Sequence, residues 1–309
     1  MAGKDDPVTD VTGQDGRVIS AVSCGRSVAS LPAELANDLS RVVATGYAAA
    51  ELKVEMLHCI VGARLIEPNV ARVAEICAGF SSDLQYSVHA PAVLDLRHQK
   101  DPDLHREILF CCVRFSAAVG ARVLVVHYEA RSDSPALEAQ FRAAIEQAAE
   151  LAGLHGVILG VENIEVERTE RVLEFLEALR HPWVRMTYDF AHDFLASDLF
   201  GYDYLQSTRA CVPYAAHLHL TDNFGRFNMA RLGDWALYQA TPTADITVTG
   251  VGDSHLPLGW GTLPAGAVYS QFAAQNYRGL LISEHRRHVF ADQDAEVLRA
   301  MRELVKAAD

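Results

Sequence analysis

No stretch of the 309-residue chain is apolar over the roughly 18 residues a bilayer-spanning helix needs; the β-branched runs, such as VLVV at 123–126, are short and lie beside charge. The N-terminus, MAGKDDPVTDVTGQDG, lacks the apolar h-region of a secretory signal, and residues 1–16 read as a disordered tail. Cysteine is sparse and unpatterned: Cys24, Cys59, Cys77, Cys111, Cys112 and Cys211 contain no CxxC pair. A chain of this size buries a core without disulfide staples, so reduced, buried thiols and a cytoplasmic location are expected. Basic residues are in deficit, 27 Lys and Arg against 40 Asp and Glu, for a formal charge of −13. A protein that grips a phosphate backbone is usually basic, so duplex DNA is not expected as a partner, nor is a membrane. Neither GxGxxG nor GxxxxGK[ST] follows a strand, no GxSxG elbow occurs, and the Trp and Tyr residues are not interleaved with basic ones.

What is present is a repeat of organisation. Eight short β-branched runs, each ending in a polar or charged residue, alternate with amphipathic stretches. The runs are 17–24, 52–57, 86–91, 122–128, 157–163, 184–190, 215–222 and 280–285. Helical spacing of apolar residues marks 103–120, 137–153 with Gly153 as C-cap, 169–182 with a proline stop, and 32–46 opening with Pro32. Strands alternating with helices imply parallel βαβ units, and eight of them imply a closed (β/α)8 TIM barrel, a single α/β domain over 17–309. Successive strand ends lie roughly 30 to 40 residues apart, the length of one strand–helix repeat. The last interval is longer because of a segment at 223–252 with four glycines, Trp235 and Tyr238. A long βα loop at the top of a barrel is a candidate lid over the active-site mouth.

Active sites of such barrels sit at the C-terminal ends of the strands. Strand ends three to eight carry His89, His127, Glu162, Asp189, His219 and Glu284. Crowded carboxylates raise one another's pKa, and bound divalent cations supply the missing positive charge. Imidazoles mixed with carboxylates suit Zn or Mn. His192 follows Asp189 in a DxxH pattern, and Asp253 and His255 form DSH directly after the long segment, giving nine candidate metal ligands.

In this order HAP (89–91), VVH (125–127), VEN (161–163), DFAH (189–192), HLTD (219–222), DSHLPLGWG (253–261) and SEH (283–285) resemble the xylose-isomerase-like TIM-barrel superfamily. It joins sugar phosphate isomerases and epimerases to endonuclease IV-like enzymes. The resemblance covers nearly the whole chain from about residue 18. In the isomerase branch one metal is held by residues matching Glu162, Asp189, His219 and Glu284, and the two glutamates also act as acid and base. In the endonuclease branch three zinc ions are held. The matching sets are His89, His127 and Glu162; Glu162, Asp189, His219 and Glu284; and His192, Asp253 and His255. This chain departs from that branch after strand four, where HYEARSD (127–133) replaces His-Pro-Gly, and after strand seven, where TDN replaces NDS.

The resemblance therefore implies a divalent-metal-dependent isomerase or epimerase, with one to three ions of Zn or Mn per chain. Its substrate is a sugar, sugar phosphate or related keto-polyol, and Glu162 and Glu284 move a proton beside a carbonyl that the metal polarises. The alternatives are a multinuclear zinc phosphoesterase of endonuclease IV-like type acting on a small phosphoester, and a keto-sugar lyase or dehydratase. A homodimer is compatible with the resemblance. Around the mouth, Glu55 reads either as a substrate contact or as a buried ion pair. Arg286 reads as a carboxylate or phosphate clamp or a solvated loop charge, with His288 on the same loop. Trp260, between Gly259 and Gly261, is assigned to substrate binding, the glycines letting the backbone pass close to the metal site. His217 points inward one layer below His219, in a supporting role. His58, His98, His105, His155 and His181 read as surface residues.

Overall fold

The computed structural model describes residues 22–308. Eight parallel strands close into one barrel in chain order: β1 (Ser23–Val28), β2 (Ala49–Lys53), β3 (Gln85–His89), β4 (Val123–Tyr128), β5 (Ile158–Asn163), β6 (Val184–Asp189), β7 (Ala215–Leu220) and β8 (Leu280–Ser283). β8 pairs with β1, so no edge is left open. A two-stranded ribbon, Ile60–Val61 with Arg64–Leu65, decorates the β2 connection. Among the described residues no helix is long and apolar enough to cross a membrane.

Period-two alternation gives the barrel two unlike faces. The outward residues of its strands, such as Leu52, Val88, Leu124, Val161, Met186 and Leu218, join the main apolar core against the surrounding helices. The inward residues form small apolar clusters, Ala49 with Leu280 and Ile282, and Val123 with Val125 and Ile158. Above them the lining turns polar. A side chain at Gly25 would place its Cβ 2.6 Å from both the Ala49 Cβ and the Ile282 Cδ1, so glycine is what lets β1 pack there.

Two expected strands lie elsewhere. The run at 17–24 gives a strand that starts at Ser23, so Cys24 is its second residue rather than its end; residues 17–21 and the tail at 1–16 lie outside the described residues. The second strand is Ala49–Lys53, not 52–57. The apolar residues of VEML instead close a single helical turn, Val54–Leu57. Alanines have weak strand preference, and barrel closure rather than propensity makes AAELK a strand. The helices lie near their expected places, at Leu35–Thr45, Pro102–Ala118, Pro135–His155 and Thr169–Leu179. Gly153 is inside the third of these, facing Trp183, and the helix is capped three residues on by Gly156 at φ 67°. All six cysteines are buried and unpaired.

Candidate active site

Register places the polar strand ends at one height. Lys53 is level with His89, His127 with Glu162, and Asp189 with His219. Glu162, Asp189, His219 and Glu284 are all buried, and each offers a ligand atom within 4.8 Å of the others'. His219 is their hub. Its Nδ1 lies 2.9 Å from Glu162 Oε1, 3.0 Å from Glu284 Oε2 and 3.9 Å from Asp189 Oδ2. The VEN motif has a visible task here. The Asn163 side chain accepts from the Asp189 N–H and donates to the Asp189 carbonyl, tying β5 to β6 beside the site. Asp189 also caps the next helix, its Oδ1 accepting from the His192 N–H at 2.7 Å.

Two further groups flank this one. His89, His127 and Glu162 gather on one side, with the two Nε2 atoms 3.2 Å apart and Glu162 Oε2 3.4 and 3.5 Å from them. His192, Asp253 and His255 gather on the other, with Asp253 Oδ2 2.6 Å from His255 Nε2 and 3.7 Å from His192 Nε2. All nine candidate ligands are thus brought to one mouth.

The residues fit cations. Glu162 Oε2, Asp189 Oδ2 and Asp253 Oδ1 are buried with no hydrogen-bond partner, which is costly unless a cation is bound there. The histidines are oriented as metal ligands are. His89, His192 and His255 each set Nδ1 against a backbone carbonyl, of Ala90, Asn163 and Glu284, which turns Nε2 toward the carboxylates. His219 is reversed: its Nε2 meets Glu51 Oε2 at 3.1 Å.

The electrostatics follow from crowding. Burial pushes the Asp189 carboxyl up to about 6, with His192 opposing and Glu162 adding to the rise. Burial disfavours the ionised Glu284, but His219 and Lys53 outweigh it and hold the carboxyl well below its ordinary range. Burial likewise disfavours charge on His219, and the carboxylates of Glu284, Glu51 and Glu162 override it, raising the imidazole well above its usual value.

Sequence reading misses the inner residues of β2. Glu51 and Lys53 sit two apart on the inner face; Glu51 is fully buried, accepts from Ser87 Oγ and lies 3.5 Å from His217. His217 is fully buried below His219, as expected. The i, i+2 spacing in AELK is the only signal for the pair, hidden once the strand is set at 52–57. Glu129, 3.5 Å from His127 Nδ1, is also missed, although it stands two residues beyond His127 in HYE.

The expected substrate contacts are placed unevenly. Glu55 is exposed on the turn after β2 and lines the mouth, so the buried ion pair is not what the fold makes of it. Arg286 is spent on the chain itself, donating to Thr243 Oγ1 and to the Asp253 carbonyl. His288 is exposed. Trp260 is not on the cavity wall: it is 49% exposed and packs edge-on against Phe290. The GWG segment is held at Asp222 rather than at the candidate ligands. Asp222 accepts from the N–H groups of Asn223, Gly259 and Leu263, and a Cβ at Gly261 would lie 2.4 Å from its Oδ1. His58 is exposed and His98, His105, His155 and His181 are half-buried; none joins the ligand groups.

Above the ligands opens a cavity of about 870 Å³. The 223–252 segment contributes Arg231, Trp235, Tyr238 and Gln239 to its wall and carries three short helices, Ala230–Gly233, Trp235–Ala240 and Thr243–Thr249. Arg231 bridges this segment to the barrel, 2.9 Å from Glu165 and 3.6 Å from Glu129, with its guanidinium over the Trp235 ring.

The family model for the xylose isomerase-like TIM barrel matches residues 39–307. The chain belongs to that family. Among solved structures, a D-tagatose 3-epimerase-like protein aligns at TM-score 0.68 with 16% identity, over 93% of this chain and 98% of its own. L-ribulose 3-epimerase aligns at 0.65 and 15%, over 93% and 95%. The 3-keto-D-glucoside 4-epimerase from E. coli aligns at 0.64 and 14%, over 91% and 99%. At these identities the likeness is one of fold. No curated protein sequence matches the chain.

Proposed function

We propose that this family member is a divalent-metal-dependent isomerase or epimerase of a sugar or related keto-polyol. The observation that carries the reading is the pair Glu162 and Glu284, from the ends of β5 and β8, which line the cavity and whose carboxylates both approach His219 Nδ1. The epimerase descriptions of the similar structures support it. A cation held by Glu162, Asp189, His219 and Glu284, Zn or Mn by donor type, would supply Lewis acidity toward a substrate carbonyl and its neighbouring hydroxyl.

The chain's own residues do the proton work. One glutamate takes the proton from the carbon beside the carbonyl, and the other returns a proton to the opposite face or to the adjacent carbon. His219, fixed by Glu51, sets the spacing of the two carboxylates. The 223–252 segment acts as a lid that keeps water from the exposed carbanion equivalent. Buried, unpaired thiols suit the reducing cytoplasm.

The test is solvent exchange. Incubated in D₂O with a panel of ketoses and keto-glycosides, the protein is expected to place deuterium at the carbon next to the carbonyl. Glu162→Gln and Glu284→Gln are expected to lower that rate by at least about 100-fold. No exchange across the panel would contradict the reading. The flanking groups His89, His127, Glu162 and His192, Asp253, His255 favour a second reading, a multinuclear phosphoesterase. In that case phosphoesters are cleaved and His255→Ala abolishes turnover, whereas a one-metal isomerase tolerates the change.

A further inference from the structure

Lys53, Arg97, Arg131 and Arg231 line the cavity. Three of them are committed elsewhere. Arg97 forks onto Glu138 at 2.6 and 3.0 Å and stacks on Phe141. Arg231 pairs with Glu165 and Glu129, and Arg131 reaches Glu174 at 3.3 Å. Lys53 differs. Among the described residues it makes the one Lys or Arg side-chain ion pair to the nine candidate ligands, its Nζ lying 2.5 Å from Glu284 Oε1. It projects from the inner face of β2 at the height of His89, and its side chain is 21% exposed, toward the cavity it lines. An ammonium has three donors. One serves Glu284, and no other side-chain hydrogen bond of Lys53 is formed among the described residues.

We propose that Lys53 is a catalytic residue that donates a hydrogen bond to the substrate oxygen on which negative charge builds as the C–H proton leaves. This rests on the isomerase reading above. In the step, the C–H bond breaks, the proton passes to a glutamate, and the electron pair forms the C=C bond while the carbonyl π pair moves onto oxygen. Lys53 keeps its proton throughout; returning a proton to carbon reverses the flow. Carboxylates outnumber cations around this cavity, so an oxygen gaining charge there needs a fixed donor at close range. Arg97 and Arg231 are held by carboxylates and Arg131 pairs with Glu174, so Lys53 is the lining cation placed beside the candidate ligands.

The experiment uses the metal-loaded full chain. Lys53→Met is expected to lower kcat for solvent exchange by about 100- to 1000-fold, the usual loss for one such donor. KM and metal content are expected to change by less than about threefold, as befits a donor that acts mainly in the transition state. Lys53→Cys alkylated with 2-bromoethylamine restores an ammonium at the same reach and is expected to recover most of the rate; the six native cysteines are buried, and treated wild type is the control. A Met variant with near-wild-type kcat overturns the proposal. So does a variant that loses its metal and is not rescued, since Lys53 would then only support Glu284. Wild-type protein inert on every ketose overturns the isomerase reading, and this inference with it.

Discussion

Each histidine at the mouth is aimed by what its second nitrogen touches. For His89, His192 and His255 that is a main-chain carbonyl, which no point substitution removes. For His219 it is the buried carboxylate of Glu51, which one can. A carboxylate behind a ligand imidazole fixes its orientation and raises its basicity, and losing such a partner typically costs 10- to 100-fold in metal affinity. Glu51→Leu is therefore expected to weaken metal binding by about that factor in a Co²⁺ or Zn²⁺ competition titration. Glu51→Gln, which keeps an acceptor, stays within a few-fold. Equal affinity in Glu51→Leu and wild type would show that His219 needs no such support. The nine candidate ligands were legible because each stands at a β-branched strand end or in a compact motif such as DFAH or DSH. Glu51 and Lys53 were not, because the alanines before them conceal the strand that turns them inward.

At the scale of elements, the 223–252 segment depends on few fastenings. Arg231 joins it to the loops after β4 and β5, clamped between carboxylates and the stacked Trp235 and Tyr238 rings, and Arg286 holds its far end through Thr243 and the Asp253 carbonyl. Phe227 and Ile246 of the segment are buried, but its Leu232, Trp235, Leu237 and Val248 remain exposed, so burial anchors it at only a few points. Arg231→Ala is expected to speed proteolytic cleavage within 223–252 several-fold. The barrel's melting temperature should move by less than about 3 °C, because the segment can open locally and return Glu165 to water without unfolding the barrel. Unchanged cleavage would mean that Arg231 is not the latch. The sequence marked this insertion by its length alone. It could not show that Arg286 is used up in tethering it, because that pairing joins residues more than forty apart on loops whose paths no periodicity encodes.

For the whole molecule, the decisive feature is the division of faces. Apolar burial is concentrated outside the barrel wall, where helices cover it, and the interior is free to become polar toward the top. That arrangement concentrates acid and imidazole groups from six strands in one buried cup, in a chain already at −13. The eight-unit architecture was readable from the alternation of periods; the layering inside the barrel was not, since it depends on closure and stagger. Three carboxylate oxygens left without partners in that cup are what a bound cation would satisfy. The most direct measurement is elemental analysis of protein purified without chelator, followed by a melt before and after chelation. At least one Zn or Mn ion per chain is expected, with a lower melting temperature on removal and recovery on re-addition; two or three ions favour the phosphoesterase. A chain that purifies free of metal and melts the same with or without added cations would contradict the account.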